Sequence, residues 1–172
     1  RHSFPTRRSS DLAANTNATN KNSLYDSYIK AFRWASDRIA QMKEGGIVAF
    51  ISNGSWIDGN AQDGMRQCLQ DEFTSVYVLN LRGNQRTSGE LSRKEGGKIF
   101  GSGSRTPIAI TMLVKNPQND RKKAEIYYHD IGDYLTREQK LEMVKKFRSV
   151  NGVEWKTLEP NEKNEWMNIR DG

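Results

Sequence analysis

The chain is poor in residues that tie a fold together through covalent bonds or metal. A single cysteine, Cys68, excludes an internal disulfide and fits a reducing compartment, for which the cytoplasm is expected. Helical patterning around Cys68 marks it as a helix residue rather than a nucleophile. Of the two histidines, His2 and His129, neither has a ligand partner at useful spacing, so no metal site is expected. Long apolar runs are also missing: Ile47 to Ile51 and Ile108 to Val114 are far too short to span a bilayer. The first residues lack the apolar core of a secretion signal. No G-x-G-x-x-G follows a predicted strand, which removes support for a dinucleotide-dependent dehydrogenase.

What is present suits one folded domain. The 172 residues are enough for a core, and 28% of them are charged. The net charge of +6 is compatible with a nucleic-acid partner, depending on where the charges lie. Residues 1–12 stand apart: His2 to Leu12 match the translation of a common sequencing-library adapter. They are expected to be an artefact without packing contacts. They carry +2 of the net charge, leaving +4 for the rest. Residues 13–22 read as loop.

Hydrophobic spacing then gives an alternating order of elements. Ser23 and Asp26 have capping-box spacing. Leu24, Tyr28, Phe32 (or Ile29), Ala35, Ile39 and Met42 recur at three- and four-residue steps, which predicts a helix of about five turns closed by Gly45-Gly46. Ile47 to Ser52 predicts a strand covered on both faces. Asn53 to Asn60 reads as loop, with Asp58 and Asp63 read as caps rather than general bases. A short helix is expected over Ala61 to Phe73, and a strand over Thr74 to Leu81. Arg82 to Arg105, with six glycines and no period, reads as a long loop. A strand over Pro107 to Lys115 closes at Asn116-Pro117. A strand at Ala124 to His129 and a helix at Thr136 to Arg148, capped by Thr136 and Gln139, follow. The Lys140 to Lys146 charges fit a solvated helix face. Beyond Val150, Trp155 and Trp166 sit among charges and the pattern fades. The polar loop between the Thr74–Leu81 and Pro107–Lys115 strands favours an antiparallel pairing of the two.

Three blocks carry a family likeness over about residues 20–115. They are Asn22 to Tyr28 opening a helix that ends in Glu44-Gly45-Gly46; Ile47 to Trp56; and Gly97-Lys98-Ile99-Phe100 leading into Ser104 to Val114. Their order resembles the catalytic domain of amino-group DNA methyltransferases. The Asn80 to Gly97 string and Tyr127 to Tyr134 resemble, more narrowly, the methylase region of type ISP restriction–modification enzymes. The resemblance implies an α/β fold: a partial doubly wound, Rossmann-like methyltransferase sheet ending in an antiparallel strand pair. Residues 23–150 would be the C-terminal half of the catalytic domain, and residues 151–172 the start of a following segment. The family's glycine-rich cofactor motif and its Asn-Pro-Pro-Tyr motif, expected before Ser23, are absent, so no catalytic residue is assigned in this chain.

The likeness implies that the parent is an S-adenosylmethionine-dependent DNA adenine N6-methyltransferase of a restriction–modification system, acting on double-stranded DNA. Leu24 and Tyr28 would line the adenine pocket of the cofactor, an apolar slot with an aromatic wall; packing on the sheet is the alternative. Phe100, a lone aromatic in a glycine-rich loop, would stack the extruded target base; a buried loop anchor is the alternative. Arg82, Arg86, Arg93, Lys94, Lys98 and Arg105 outweigh Glu90 and Glu95 and would grip phosphates; a solvated flexible loop is the alternative. For the chain by itself, a non-catalytic nucleic-acid-binding module is the competing function.

Overall fold

The computed structural model describes residues 22–101 and 103–167. The adapter-like residues 1–12, and the expected loop up to residue 21, lie outside the described residues. Four helices and a five-stranded sheet follow a 3-10 turn at Asn22–Tyr25. Helix α1 (Ser27–Ala40) leads into strand β1 (Gly46–Asn53). Helix α2 (Asp63–Glu72) and strand β2 (Ser75–Asn80) come next. Helix α3 (Gly89–Glu95), strand β3 (Ile108–Lys115), strand β4 (Glu125–Asp130), helix α4 (Arg137–Phe147) and strand β5 (Lys156–Leu158) complete the order.

The sheet runs β1-β3-β2-β4-β5. β3 is antiparallel to both β1 and β2, β2 and β4 are parallel, and β4 and β5 are antiparallel. The expected antiparallel pairing of β2 with β3 is therefore present. The sheet as a whole is mixed and mostly antiparallel, so the doubly wound reading is not what the described strands amount to by themselves. β1, β2 and β4 share one direction, because β1 and β2 are each antiparallel to β3 and β4 is parallel to β2. Their C-terminal ends consequently meet at one edge of the sheet.

The two faces of the sheet are covered differently. On one face, Val48, Val76, Val78, Ala109 and Leu113 pack under α1 and α2 through Ile29, Phe32, Met65 and Leu69. Phe32 meets Phe50 at 4.8 Å between ring centroids and Trp56 at 5.7 Å. Trp166, read from sequence as lying among charges, is buried edge-on against Trp56 at 5.4 Å. On the other face, α4 covers only the β2–β4 side, with Leu79, Leu81, Ile99, Ile108 and Ile131 as a second core. There Tyr77 stacks on Tyr127 at 4.6 Å and meets Trp155 edge-on.

Several local expectations are corrected. β1 is not covered on both faces among the described residues: Ile47 and Ile51 are 62% and 60% exposed. Asp26, not Ser23, is the N-cap of α1, and its side chain makes no capping hydrogen bond. The Arg82–Arg105 stretch is not all loop, since α3 forms within it. Lys140 is not solvated but fully buried. The Thr136–Gln139 capping box of α4 is present, Gln139 N–H donating to Thr136 Oγ1 at 3.2 Å and Thr136 N–H to Gln139 Oε1 at 2.8 Å.

Candidate nucleic-acid interface

The C-terminal ends of co-directed strands are where ligand sites form in open α/β sheets, because the loops leaving them diverge and open a crevice. Phe100 and the six basic residues singled out in the sequence lie on the connection from β2 to β3, which leaves this edge. β1 runs into Gly54 to Asp58, β2 into Leu81 to Arg105, and β4 into Ile131 to Thr136. The 3-10 turn Asn22–Tyr25 packs against a second 3-10 turn, Asn60–Gln62, which brings Leu24 and the start of α1 to the same edge.

A polar cleft of about 80 Å³ lies between these loops, lined by Ser55, Asp58, Asn80, Asn84, Glu95 and Tyr128 among others. It is far smaller than the roughly 300–1,000 Å³ of a typical ligand pocket. Asn80 organises its floor: the side-chain amide donates to Tyr128 Oη at 2.9 Å, and Asn80 Oδ1 accepts from the Arg82 backbone at 2.9 Å. Tyr128 Oη in turn donates to Asp130 at 3.2 Å. Burial raises the Tyr128 phenol well above its ordinary value, so it serves as a neutral donor. Asp58 does not cap a helix; it stands at the rim, where the crowding walls raise its carboxyl pKa and Arg66 offsets part of the rise.

Leu24 is fully buried in the main core, and Tyr28 is half-buried beside it. Burial raises the Tyr28 phenol, Asp26 adds to the rise, and Arg86 offsets it, so α1 and the basic stretch are electrostatic neighbours. A side chain without exposed surface cannot line a ligand. The described residues thus supply one aromatic wall and not a purine pocket, and no catalytic step through a bound cofactor follows from them.

Phe100 is 51% exposed, while Ile99 beside it is buried in the second core. The buried-anchor alternative therefore falls to Ile99, and Phe100 is presented outward. The six basic residues divide. Arg82, at φ +56°, is turned back on the fold: its Nε donates to Asp130 at 2.6 Å and its Nη1 to Asp133. These carboxylates hold its guanidinium charged and occupied. Arg93 shares its charge with Glu90 at 3.0 Å on the exposed side of α3. Arg105 donates Nη2 to the Gln85 carbonyl at 2.9 Å, and Gln85 N–H donates to the Arg105 carbonyl at 3.0 Å, which ties the two ends of the stretch together. Among the described residues, no carboxylate forms an ion pair with Arg86, Lys94, Lys98 or Arg105. The chain can thus offer four unneutralised cations and one exposed ring on a backbone that is held in place, not on a free loop. Among the described residues there is no cluster of three metal-ligating side chains, and no helix is long and apolar enough to cross a membrane.

Sequence reasoning missed the residues that hold this stretch, above all Lys140 and Arg137. A signal existed: Lys140 is in helical register with Met143, Val144 and Phe147, the apolar stripe of α4.

No protein-family model and no curated protein matches the chain. Solved structures do. The chain is 48% identical over 95% of its length, with a TM-score of 0.86, to a nuclease-deletion mutant of the Type ISP restriction-modification enzyme LlaGI in complex with a DNA substrate mimic. It is 45% identical over 94% of its length, at the same TM-score, to the ATP-dependent Type ISP restriction-modification enzyme LlaBIII bound to DNA. Similarity to the DrdV–DNA complex is 34% over 92%, with a TM-score of 0.82. Those chains are far longer; this one spans 13%, 11% and 15% of them.

Proposed function

We propose that this chain belongs to the methyl-transferring part of a restriction–modification polypeptide that uses S-adenosylmethionine to methylate adenine N6 in duplex DNA. The observation that carries the reading is Phe100. It is a half-exposed ring at the strand-end edge of the sheet, flanked by unpaired cations and followed by glycines. A base inside a duplex must leave the stack before its exocyclic amine can react, and an aromatic face offsets part of the lost stacking. Arg86, Lys94, Lys98 and Arg105 would hold the backbone on either side, since phosphate contacts fix register without reading sequence. The order β1-β3-β2, with an antiparallel strand between two co-directed ones, supports the methyltransferase likeness drawn from the sequence. So does the strong similarity to enzymes of this kind captured with DNA. Arg82 is the least available of the phosphate-gripping set, because its Nε and Nη1 already serve Asp130 and Asp133. Leu24 drops out as a cofactor contact in the described structure, which leaves Tyr28 as the wall.

The test uses the full-length polypeptide that carries this chain, duplex substrate, and radiolabelled S-adenosylmethionine. Phe100→Ala should slow methyl transfer while leaving binding to unmodified duplex nearly intact. Arg86→Ala should weaken binding across all sequences and reduce the steepness of the salt dependence by about one unit. DNA binding without any methyl transfer in the unaltered polypeptide would favour the competing reading, a non-catalytic nucleic-acid-binding module.

A further inference from the structure

Phe100 stands on a mount built by another part of the chain. The strap that precedes it, Glu95 to Ile99, pairs with no strand, yet its backbone is held at almost every step. Gly97 N–H donates to the Leu135 carbonyl at 2.9 Å. The Arg137 Nε donates to the Ile99 carbonyl at 2.8 Å. Lys140, fully buried, donates its ammonium to the carbonyls of Glu95 at 2.7 Å and Gly97 at 2.9 Å. All three partners come from the six residues around the start of α4. The approach is too close for side chains on the strap: a Cβ at Gly96 would lie 2.2 Å from the Leu135 carbonyl oxygen, and one at Gly97 would lie 2.5 Å from the Arg137 nitrogen. Just past Phe100 the restraint ends. Substituents at Gly101 and Gly103 would meet nothing within 4 Å.

An ammonium taken out of water needs acceptors, and strap carbonyls outside any strand ladder need donors. Two of the Lys140 N–H groups meet the Glu95 and Gly97 carbonyls, and the Glu95 carbonyl also accepts from Gly83 N–H at 3.1 Å, so the strap is tied from both sides. Hydrophobic burial of a leucine at position 140 would fill the same space but fix nothing about the strap. We propose that Lys140 is a positioning residue. By clamping the Glu95 and Gly97 carbonyls it sets where Phe100 stands, and α4 thereby places the base-stacking ring. This rests on the reading of Phe100 given above. Preorganised geometry of this kind is what keeps a site from being present but too loose to act.

The experiment compares three variants of the full-length polypeptide: Lys140→Met, which keeps the stem and removes the donors, Arg137→Met and Phe100→Ala. Two quantities are read. One is amide hydrogen exchange over residues 96–101. The other is fluorescence of 2-aminopurine placed at the methylated position of a duplex. Lys140→Met should raise exchange in the strap at least tenfold and lower the fluorescence of the extruded base, with exchange in α1 and β3 unchanged. Arg137→Met, at a half-exposed side chain, should change both in the same direction by a smaller factor, and it carries the test if Lys140→Met does not fold. Phe100→Ala should lower fluorescence without altering strap exchange. If neither strap variant changes exchange or fluorescence while Phe100→Ala lowers fluorescence, the positioning role is wrong and the stacking role stands. If Phe100→Ala leaves fluorescence unchanged, the stacking role is wrong, and faster exchange in Lys140→Met then reduces Lys140 to a structural bolt.

Discussion

The two faces of the sheet are closed by different chemistry, although each uses one buried cation. Under α1 and α2 the closure is apolar: Phe32, Trp56 and Trp166 interlock, and Arg66 adds donors to the carbonyls of Trp56, Gly59 and Asn164, each at 2.8 Å. Under α4 the apolar contribution is thinner, and the loop above it is held by Lys140, Arg137 and the Arg82–Asp130–Asp133 cluster. The first face is a core with a polar bolt; the second is a set of polar bolts on a small core. A core resists any disturbance in proportion to its area. Bolts fix particular backbone atoms, which is what a loop carrying an exposed functional ring requires.

Substitutions that strike the two faces should therefore differ in kind as well as size. Trp56→Ala removes a side chain with no exposed surface and two aromatic partners, and should cost roughly 3–5 kcal/mol in urea unfolding. A cost near zero would mean that the aromatic cluster is not the main closure of its face. Arg66→Met strips donors from three carbonyls and should cost about 3 kcal/mol. Its loss should be felt first around Asn164 and Trp166, seen as faster amide exchange there; uniform loosening of the whole sheet would erase the distinction between bolt and core. Thr136→Ala, which breaks the capping box at the head of α4, should cost about 1 kcal/mol. Phe100→Ala should change stability by no more than about 0.5 kcal/mol, because the ring is half in solvent. A large destabilisation there would turn the ring into part of the second core and remove the reason to assign it a base.

The first face was largely legible in the sequence. The three-and-four spacing of α1 and the β-branched runs of β1, β2 and β3 are local signals, and they gave the right elements and the right pairing of β2 with β3. The second face was not, for physical reasons that differ by residue. α3 has one apolar side chain, Leu91, so two helical turns leave no periodic trace. β5 is three residues long and exists only through its register with β4. Lys140 looks like one charge in a run of charges until the carbonyls it serves, more than forty residues earlier, are in place. Trp166 is the exception on the first face: it sits in a polar stretch, and what buries it is contact with Trp56 from far upstream. Arg82 has the composition of a phosphate ligand but a left-handed backbone that turns it toward two carboxylates. That one aromatic and six basic residues share a single glycine-rich stretch was legible; the division of those cations into occupied and available ones was not.

The uncovered side of β1 bears on how the chain behaves in solution. Among the described residues β1 is an edge strand, with Ile47 and Ile51 projecting into water beside a row of unpaired backbone groups. Such an edge is a template for a further strand, which in the proposed catalytic domain the rest of the sheet would supply and which for the chain by itself a second copy would supply. The net charge of +6, of which +2 lies in the adapter-like residues 1–12, opposes the encounter of two copies only while its field reaches past the surface, about 8 Å at physiological ionic strength and farther as salt falls. The colloidal behaviour of the chain by itself thus depends on salt, since the reach of the repulsion does. Low salt keeps isolated copies apart; high salt lets their uncovered edges meet.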